Sequence, residues 1–303
     1  MLRTSMFINS RTRNRLRPQS RSPVPTLDGT LCLVTGAASG IGRATAIEAV
    51  ARGARVVITD ISAEPLAELA ATLGDAVVLH RALDISDFEA VRALADDVHA
   101  THGPVDVVLN VAGIATWGTV ERLSHTQWRR TIDVNLMGPI HVIECFVTEM
   151  IRARKPGQLV NVSSAAGLLG LPLHAPYSAS KFGLRGISEV LRFDLRRRRI
   201  GVTLVCPGAV DTGLVQTLDV AGVSREARRG LTKHFQRLAD PPEKVARQIL
   251  DATVRNRFLL YTSRDIHLFY LVERYTPRLY ARGMQIVNDV FQWTLRRAAA
   301  SDG

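Results

Sequence analysis

Lysine is nearly missing from this 303-residue chain, which carries four lysines against 35 arginines. So lopsided a ratio reads as genomic composition rather than as a function. Cysteine is scarce too. Cys32, Cys145 and Cys206 fall in apolar segments with no metal-ligand spacing, which argues against a zinc cluster and a disulfide framework. They read as small core residues in a reducing compartment. No apolar run reaches the roughly 18 residues of a membrane-spanning helix, so the expectation is a soluble, cytoplasmic protein. Acids are absent from residues 1–26, which hold six arginines (Arg3, Arg11, Arg13, Arg15, Arg17 and Arg21) and supply more than half of the formal charge of +11. Much of the remaining excess is the arginine run 196–199, near the end of an expected helix, where cations suit the helix dipole. No repeated basic and aromatic pattern accompanies these charges, so a nucleic-acid partner is not expected.

Residues 1–26 are rich in Arg, Ser, Pro and Asn and read as disordered. Their composition also suits an organelle transit peptide, and a start codon assigned too far upstream is a further alternative. From residue 31 the pattern changes. Short runs rich in Val, Leu and Ile at 31–34, 55–59, 76–80, 105–110, 158–162, 202–206 and 258–261 read as strands buried on both faces. Helical periodicity fills most gaps, as at 87–100, where Val91, Leu94, Ala95 and Val98 recur on one face. Repeated strand–helix units imply a single doubly wound α/β (Rossmann) domain over 27–262, with a seven-stranded parallel sheet and ligands beyond the carboxyl ends of the strands.

The first strand runs into Thr35-Gly36-Ala37-Ala38-Ser39-Gly40-Ile41-Gly42. Glycines there allow a tight turn and close backbone approach to a pyrophosphate. The helix that follows offers unpaired N–H groups and a partial positive charge. Asp60 follows the second strand, 18 residues after Gly42. It suits hydrogen bonds from adenosine ribose hydroxyls and repels a 2′-phosphate, which favours NAD over NADP. A helix-capping role for Asp60 is the alternative.

These segments, over about 30–261, resemble the short-chain dehydrogenase/reductase family. Thr35 to Gly42 is similar to the family's TGxxxGxG turn. Asp84, beside Ile85, resembles the acid that meets the adenine amino group. Asn110-Val111-Ala112-Gly113 resembles the family's NNAG segment, departing at Val111. Pro207, Gly208, Val210 and Thr212 fall in the segment that holds the nicotinamide carboxamide. The resemblance adds Gly36, Ser39, Gly40, Ile41, Gly42, Asp60, Asp84, Ile85, Asn110, Ala112 and Gly113 as cofactor contacts, with no metal.

Tyr177 and Lys181 stand four residues apart, on one face of a helix. A nearby ammonium favours a phenolate and is expected to lower the tyrosine pKa from about 10, making a general acid/base. Ser164 lies 13 residues before Tyr177 and is placed to hold a substrate oxygen, with Ser163 as its rival. Asn135 resembles the family's helix asparagine that positions a water beside the lysine. The resemblance implies an alcohol dehydrogenase or ketone reductase. Tyr177 moves the proton, the nicotinamide moves the hydride, and Lys181 also binds the nicotinamide ribose. The main alternatives are an NADP-dependent carbonyl reductase and a non-catalytic nucleotide sensor. The family's habit implies a homodimer or homotetramer.

Substrate contacts are expected from the loops 114–118, 168–174 and 212–240. Leu168, Leu169, Leu171, Leu173, Leu214 and Leu218 suggest an apolar pocket for a steroid, retinoid or fatty alcohol or ketone. His174 reads as a solvent-facing loop residue rather than a substrate contact. Residues 263–303 form an expected helical extension. Eight of the chain's 17 aromatic residues fall between Phe258 and Trp293. The favoured reading packs this extension on its own domain or a partner subunit. A lid, and attachment to a membrane surface through aromatics and Arg274, Arg278 and Arg282, are the alternatives.

Overall fold

The computed structural model describes residues 22–212, 219–220 and 239–300, with 219–220 and 292–300 in backbone only. Residues 1–21 of the basic segment, Leu214, Leu218 and most of the loop 212–240 therefore lie outside the described residues, as does the Trp293 side chain.

Seven strands form one parallel sheet: β1 (Leu31–Thr35), β2 (Arg55–Asp60), β3 (Val77–Ala82), β4 (Val107–Asn110), β6 (Gly157–Val162), β7 (Ile200–Cys206) and β9 (Leu259–Tyr261). Their order across the sheet is β3-β2-β1-β4-β6-β7-β9. Two-residue strands β5 (Thr116–Trp117) and β8 (Asp219–Val220) pair apart from it. Such short strands carry no hydrophobic period, and the sequence gives no sign of them.

The sheet is covered on both faces, as its near-continuous apolar strands require. Alternation along each strand divides the core. Cys32 and Val34 of β1 join one cluster with α1 (Gly40–Ala51), α2 (Ala63–Leu73) and α6 (Pro242–Val254). Leu31 and Leu33 join the opposite cluster with α3 (Phe88–His102) and α4 (His125–Arg152). Helix α5 (Ala175–Asp194) lies on this second side, with Leu191 against the cluster. Asp87 caps α3 by accepting from the Glu89 and Ala90 N–H groups.

One helix bears on the membrane expectation, and one boundary needs correction. Helix α4 is long and apolar enough, by length and composition, to cross a membrane. Its apolar residues Val142, Phe146, Val147 and Met150 are instead buried against the sheet, and it carries two π-helical turns, Asp133–Met137 and Ile143–Val147. The basic N-terminal segment also ends earlier than expected. Val24 is buried in the first core cluster, and the Ser22 hydroxyl bonds the Val24 and Thr253 carbonyls. Residues 22–26 thus belong to the packed domain.

After β9 come α7 (Arg264–Tyr275) and α8 (Pro277–Ala300). Ile266 is buried beside Leu168 and Leu169, and the Tyr280 hydroxyl donates to the Gly170 carbonyl at 2.8 Å. The extension therefore packs on its own domain, against the loop that follows β6.

Candidate functional site

Strand order reverses between β1 and β4, which leaves a crevice at their carboxyl ends. A cavity of about 870 Å³ opens there. Gly36, Ser39, Gly40, Ile41, Gly42, Asp60, Asp84, Ile85, Ala112, Gly113, Pro207, Gly208, Val210 and Thr212 all line it, together with Ser164, Tyr177 and Lys181.

The glycine turn is shaped for close approach. Gly36 has φ of +70°, and a Cβ there would meet the Ala112 Cα at 2.7 Å. A Cβ on Gly42 would lie 2.0 Å from the Gly36 carbonyl oxygen. Helix α1 then begins with Ser39 as a cap that makes no side-chain bond, so its first N–H groups remain for an anion. Thr35 fastens this turn to the next crossover, its Oγ1 accepting from the Val111 and Ala112 N–H groups at 3.0 and 3.1 Å. The cradle fits the pyrophosphate of a dinucleotide.

Both readings of Asp60 meet in one side chain. It lines the cavity, and its carboxylate accepts from the Ala38 N–H at 3.0 Å and from the N–H of Ser62, the α2 cap, at 2.9 Å. Asp84 also lines the cavity while accepting from the Ser86 N–H and hydroxyl. Asn110 differs from the expectation. Its side chain sits behind the cavity wall, donating to Asn161, which donates to Ser188. Alternation along β4 turns this amide to the sheet face that α5 covers, where a buried ladder of Asn161 and Ser188 holds it.

At the other end of the cavity, helix α5 presents Tyr177 and Lys181. The Tyr177 phenol shares the cavity with the Ser164 side chain, whose hydroxyl accepts from the Ala166 N–H at 3.1 Å. Ser163 is committed elsewhere, donating to the Lys181 carbonyl at 2.9 Å. The Lys181 ammonium donates to the Val162 carbonyl at 3.0 Å and lies 5.8 Å from the centre of the Tyr177 ring. Burial pushes this ammonium down from 10.5 to about 8. Burial also pushes the Tyr177 phenol above its ordinary value, and the neighbouring Ser164 side chain offsets part of that rise. The expected lowering by the ammonium is thus outweighed by burial, with the lysine pointing at the Val162 carbonyl.

Asn135 is fully buried in the first π turn. Its amide clamps Ile114, accepting from the N–H and donating to the carbonyl at 2.8 Å each, and donates to the Ser180 hydroxyl at 3.3 Å. π turns recur at functional sites. No sequence signal marked this one.

His174 is buried, not solvent-facing, and lines the cavity. Burial lowers its imidazole from 6.5 to about 4. Trp117, Ile266, Phe269 and Phe291 line the cavity as well. The enriched aromatics of 258–293 were the available signal for the last two.

A sequence profile of the short chain dehydrogenase family matches residues 30–221. "Probable oxidoreductase EphD" of Mycobacterium tuberculosis is 34% identical over 275 residues, 88% of this chain and 46% of that protein. The chain thus spans about half the length of that relative. D-threitol dehydrogenase of Mycolicibacterium smegmatis is 40% identical over 190 residues, 62% of this chain and 73% of the relative. Among solved structures, a short chain dehydrogenase/reductase from Burkholderia phymatum in complex with NAD superposes with a TM-score of 0.77 at 29% identity, covering 84% of this chain and 96% of that one. The chain belongs to the short-chain dehydrogenase/reductase family, whose members are oxidoreductases that use NAD(P).

Proposed function

We propose that this short-chain dehydrogenase/reductase interconverts an apolar primary or secondary alcohol, of steroid, retinoid or fatty type, with its carbonyl compound, and that it uses NAD in preference to NADP. The observation that carries the reading is that Tyr177, Lys181 and Ser164 line the same cavity as the glycine turn. A bound nicotinamide supplies the hydride chemistry. Ser164 holds the substrate oxygen beside the phenol. Tyr177 gives its proton to that oxygen in ketone reduction and takes it back in alcohol oxidation.

Lys181 holds positive charge near the phenol and binds the nicotinamide ribose. Asn135 positions the proton route to solvent, by fixing the turn at Ile114 next to the lysine. Asp60 supports NAD, since its carboxylate repels a 2′-phosphate. Ile114, Leu169, Leu171, Trp117 and Phe269 line the substrate end and support an apolar frame. The relatives' names, a tetritol dehydrogenase among them, do not narrow the substrate further. A homodimer or homotetramer and a cytoplasmic location belong to the same reading, the first resting on family membership.

The test is nicotinamide absorbance over a panel of apolar alcohols and ketones with both cofactors. Tyr177→Phe is expected to cut kcat by about 10²–10⁴-fold with NADH affinity within a few-fold of the parent. Undiminished turnover in that variant overturns the catalytic role, and tighter binding of NADPH than of NADH overturns the reading of Asp60.

A further inference from the structure

His174 has no part in the proton transfer just described, yet its ring is held as firmly as the groups that do. It caps helix α5 three residues before Tyr177, so both rings rise from one turn. The indole of Trp117 lies against it at 4.2 Å between centroids, and the Tyr177 ring meets it edge-on at 6.2 Å. A backbone bond from the Gly118 N–H to the Leu173 carbonyl at 2.8 Å ties its loop to the Trp117 segment.

The Nδ1 atom lies 2.6 Å from the Pro172 carbonyl oxygen. A carbonyl only accepts, so Nδ1 carries the ring's proton and Nε2 carries the lone pair. Among the described residues nothing donates to Nε2, and this atom is not sealed from solvent. The ring lines the cavity that holds Tyr177 and Ser164. The residues around it at this end, Leu169, Leu171 and Trp117, are mainly apolar.

We propose that His174 Nε2 is a fixed hydrogen-bond acceptor for the substrate, so that the preferred substrate carries a second donor, a hydroxyl group, within a few bonds of the reacting carbon of its apolar frame. This rests on the oxidoreductase reading above and narrows its substrate class to hydroxylated ketones and diols. Burial holds the imidazole neutral over ordinary working pH, so the site offers a lone pair there rather than a second N–H. A plain ketone leaves the acceptor unpaired, whereas a hydroxyketone satisfies it. A site built around such a bond discriminates against the analogue that lacks it.

The experiment compares three matched substrates: an apolar ketone, the same ketone with one hydroxyl two or three carbons from the carbonyl, and the methyl ether of that hydroxyl. The values of kcat/KM are measured for the parent, His174→Gln and His174→Phe, with NADH fluorescence as the check that each variant folds. The parent is expected to favour the hydroxyketone over both others by roughly tenfold. In His174→Phe that ratio falls to near one, chiefly through KM. In His174→Gln, whose amide oxygen also accepts, a substantial part returns. A parent that treats the three substrates alike, or a ratio that survives in His174→Phe, overturns the acceptor role while leaving the dehydrogenase reading intact. No turnover of any of the three by a parent that binds NADH overturns both.

Discussion

Burial acts on three neighbouring side chains in directions set by their charge types. The Tyr177 phenol rises because its anion is disfavoured, and the Lys181 and His174 cations fall to about 8 and about 4 because they are disfavoured in turn. For His174 this has a consequence for stability. Its pKa is lower in the folded chain than in the unfolded one, so between about 6.5 and 4 the unfolded chain binds more protons. The stabilisation is therefore complete above pH 6.5 and lost as pH falls through 4, amounting to roughly 3 kcal/mol. Urea unfolding at pH 7 and 4.5 is expected to show the parent losing about 2–3 kcal/mol more than His174→Gln. Equal losses would mean that folding leaves the imidazole pKa unshifted. The sequence marked Tyr177, Lys181 and Ser164 through spacing. It misjudged His174, because a histidine in a loop carries no local sign of the indole that covers it.

Among the elements, the strands and the glycine turn were the most legible. Seven β-branched and aliphatic runs became seven paired strands, each end within a few residues of the expected one, because a strand buried on both faces admits few other residues. The π turn at Asn135 was not legible, since the composition of Asp133–Met137 is that of any helix. The turn itself gives an element-scale prediction. Gly42→Ala drives a Cβ into the Gly36 carbonyl, and neither backbone segment can yield without opening the cradle. Thermal unfolding is expected to show a loss of roughly 1–3 kcal/mol, and NADH titration an affinity at least tenfold weaker. Unaltered NADH affinity would remove the turn from the cofactor site. Asn110 shows the converse limit. Its motif was readable, but the register between β4 and β6 turned its amide toward Asn161 rather than the crevice.

For the molecule as a whole, the C-terminal extension decides how the cavity is closed. Three roles were open from its sequence. The structure packs Ile266 against Leu168 and Leu169, and brings Phe269 and Phe291 to the cavity wall. Arg185 reaches across from α5 to the Tyr270 hydroxyl at 3.2 Å. Ending the chain after Ser263 removes this wall. Burial of Ile266 alone is worth about 1.5–3 kcal/mol, so the shortened chain is expected to melt several degrees lower. It is also expected to bind an apolar fluorescent dye more strongly, while NADH affinity falls less than threefold, because the glycine turn stands on other elements. An unchanged melting temperature and dye signal would mean that the extension contributes no wall in solution.

The sequence by itself determined the doubly wound sheet, the nucleotide turn and the Tyr177–Lys181 pair. Each is written in a local period or spacing, and local spacing survives without tertiary contacts. Tertiary structure alone decided that Lys181 faces the Val162 carbonyl, that Asn110 lies behind the wall, and that His174 stands buried against Trp117 with its lone pair free. Those outcomes depend on which distant segments pack together. Burial and hydrogen bonding then set each group's charge and direction.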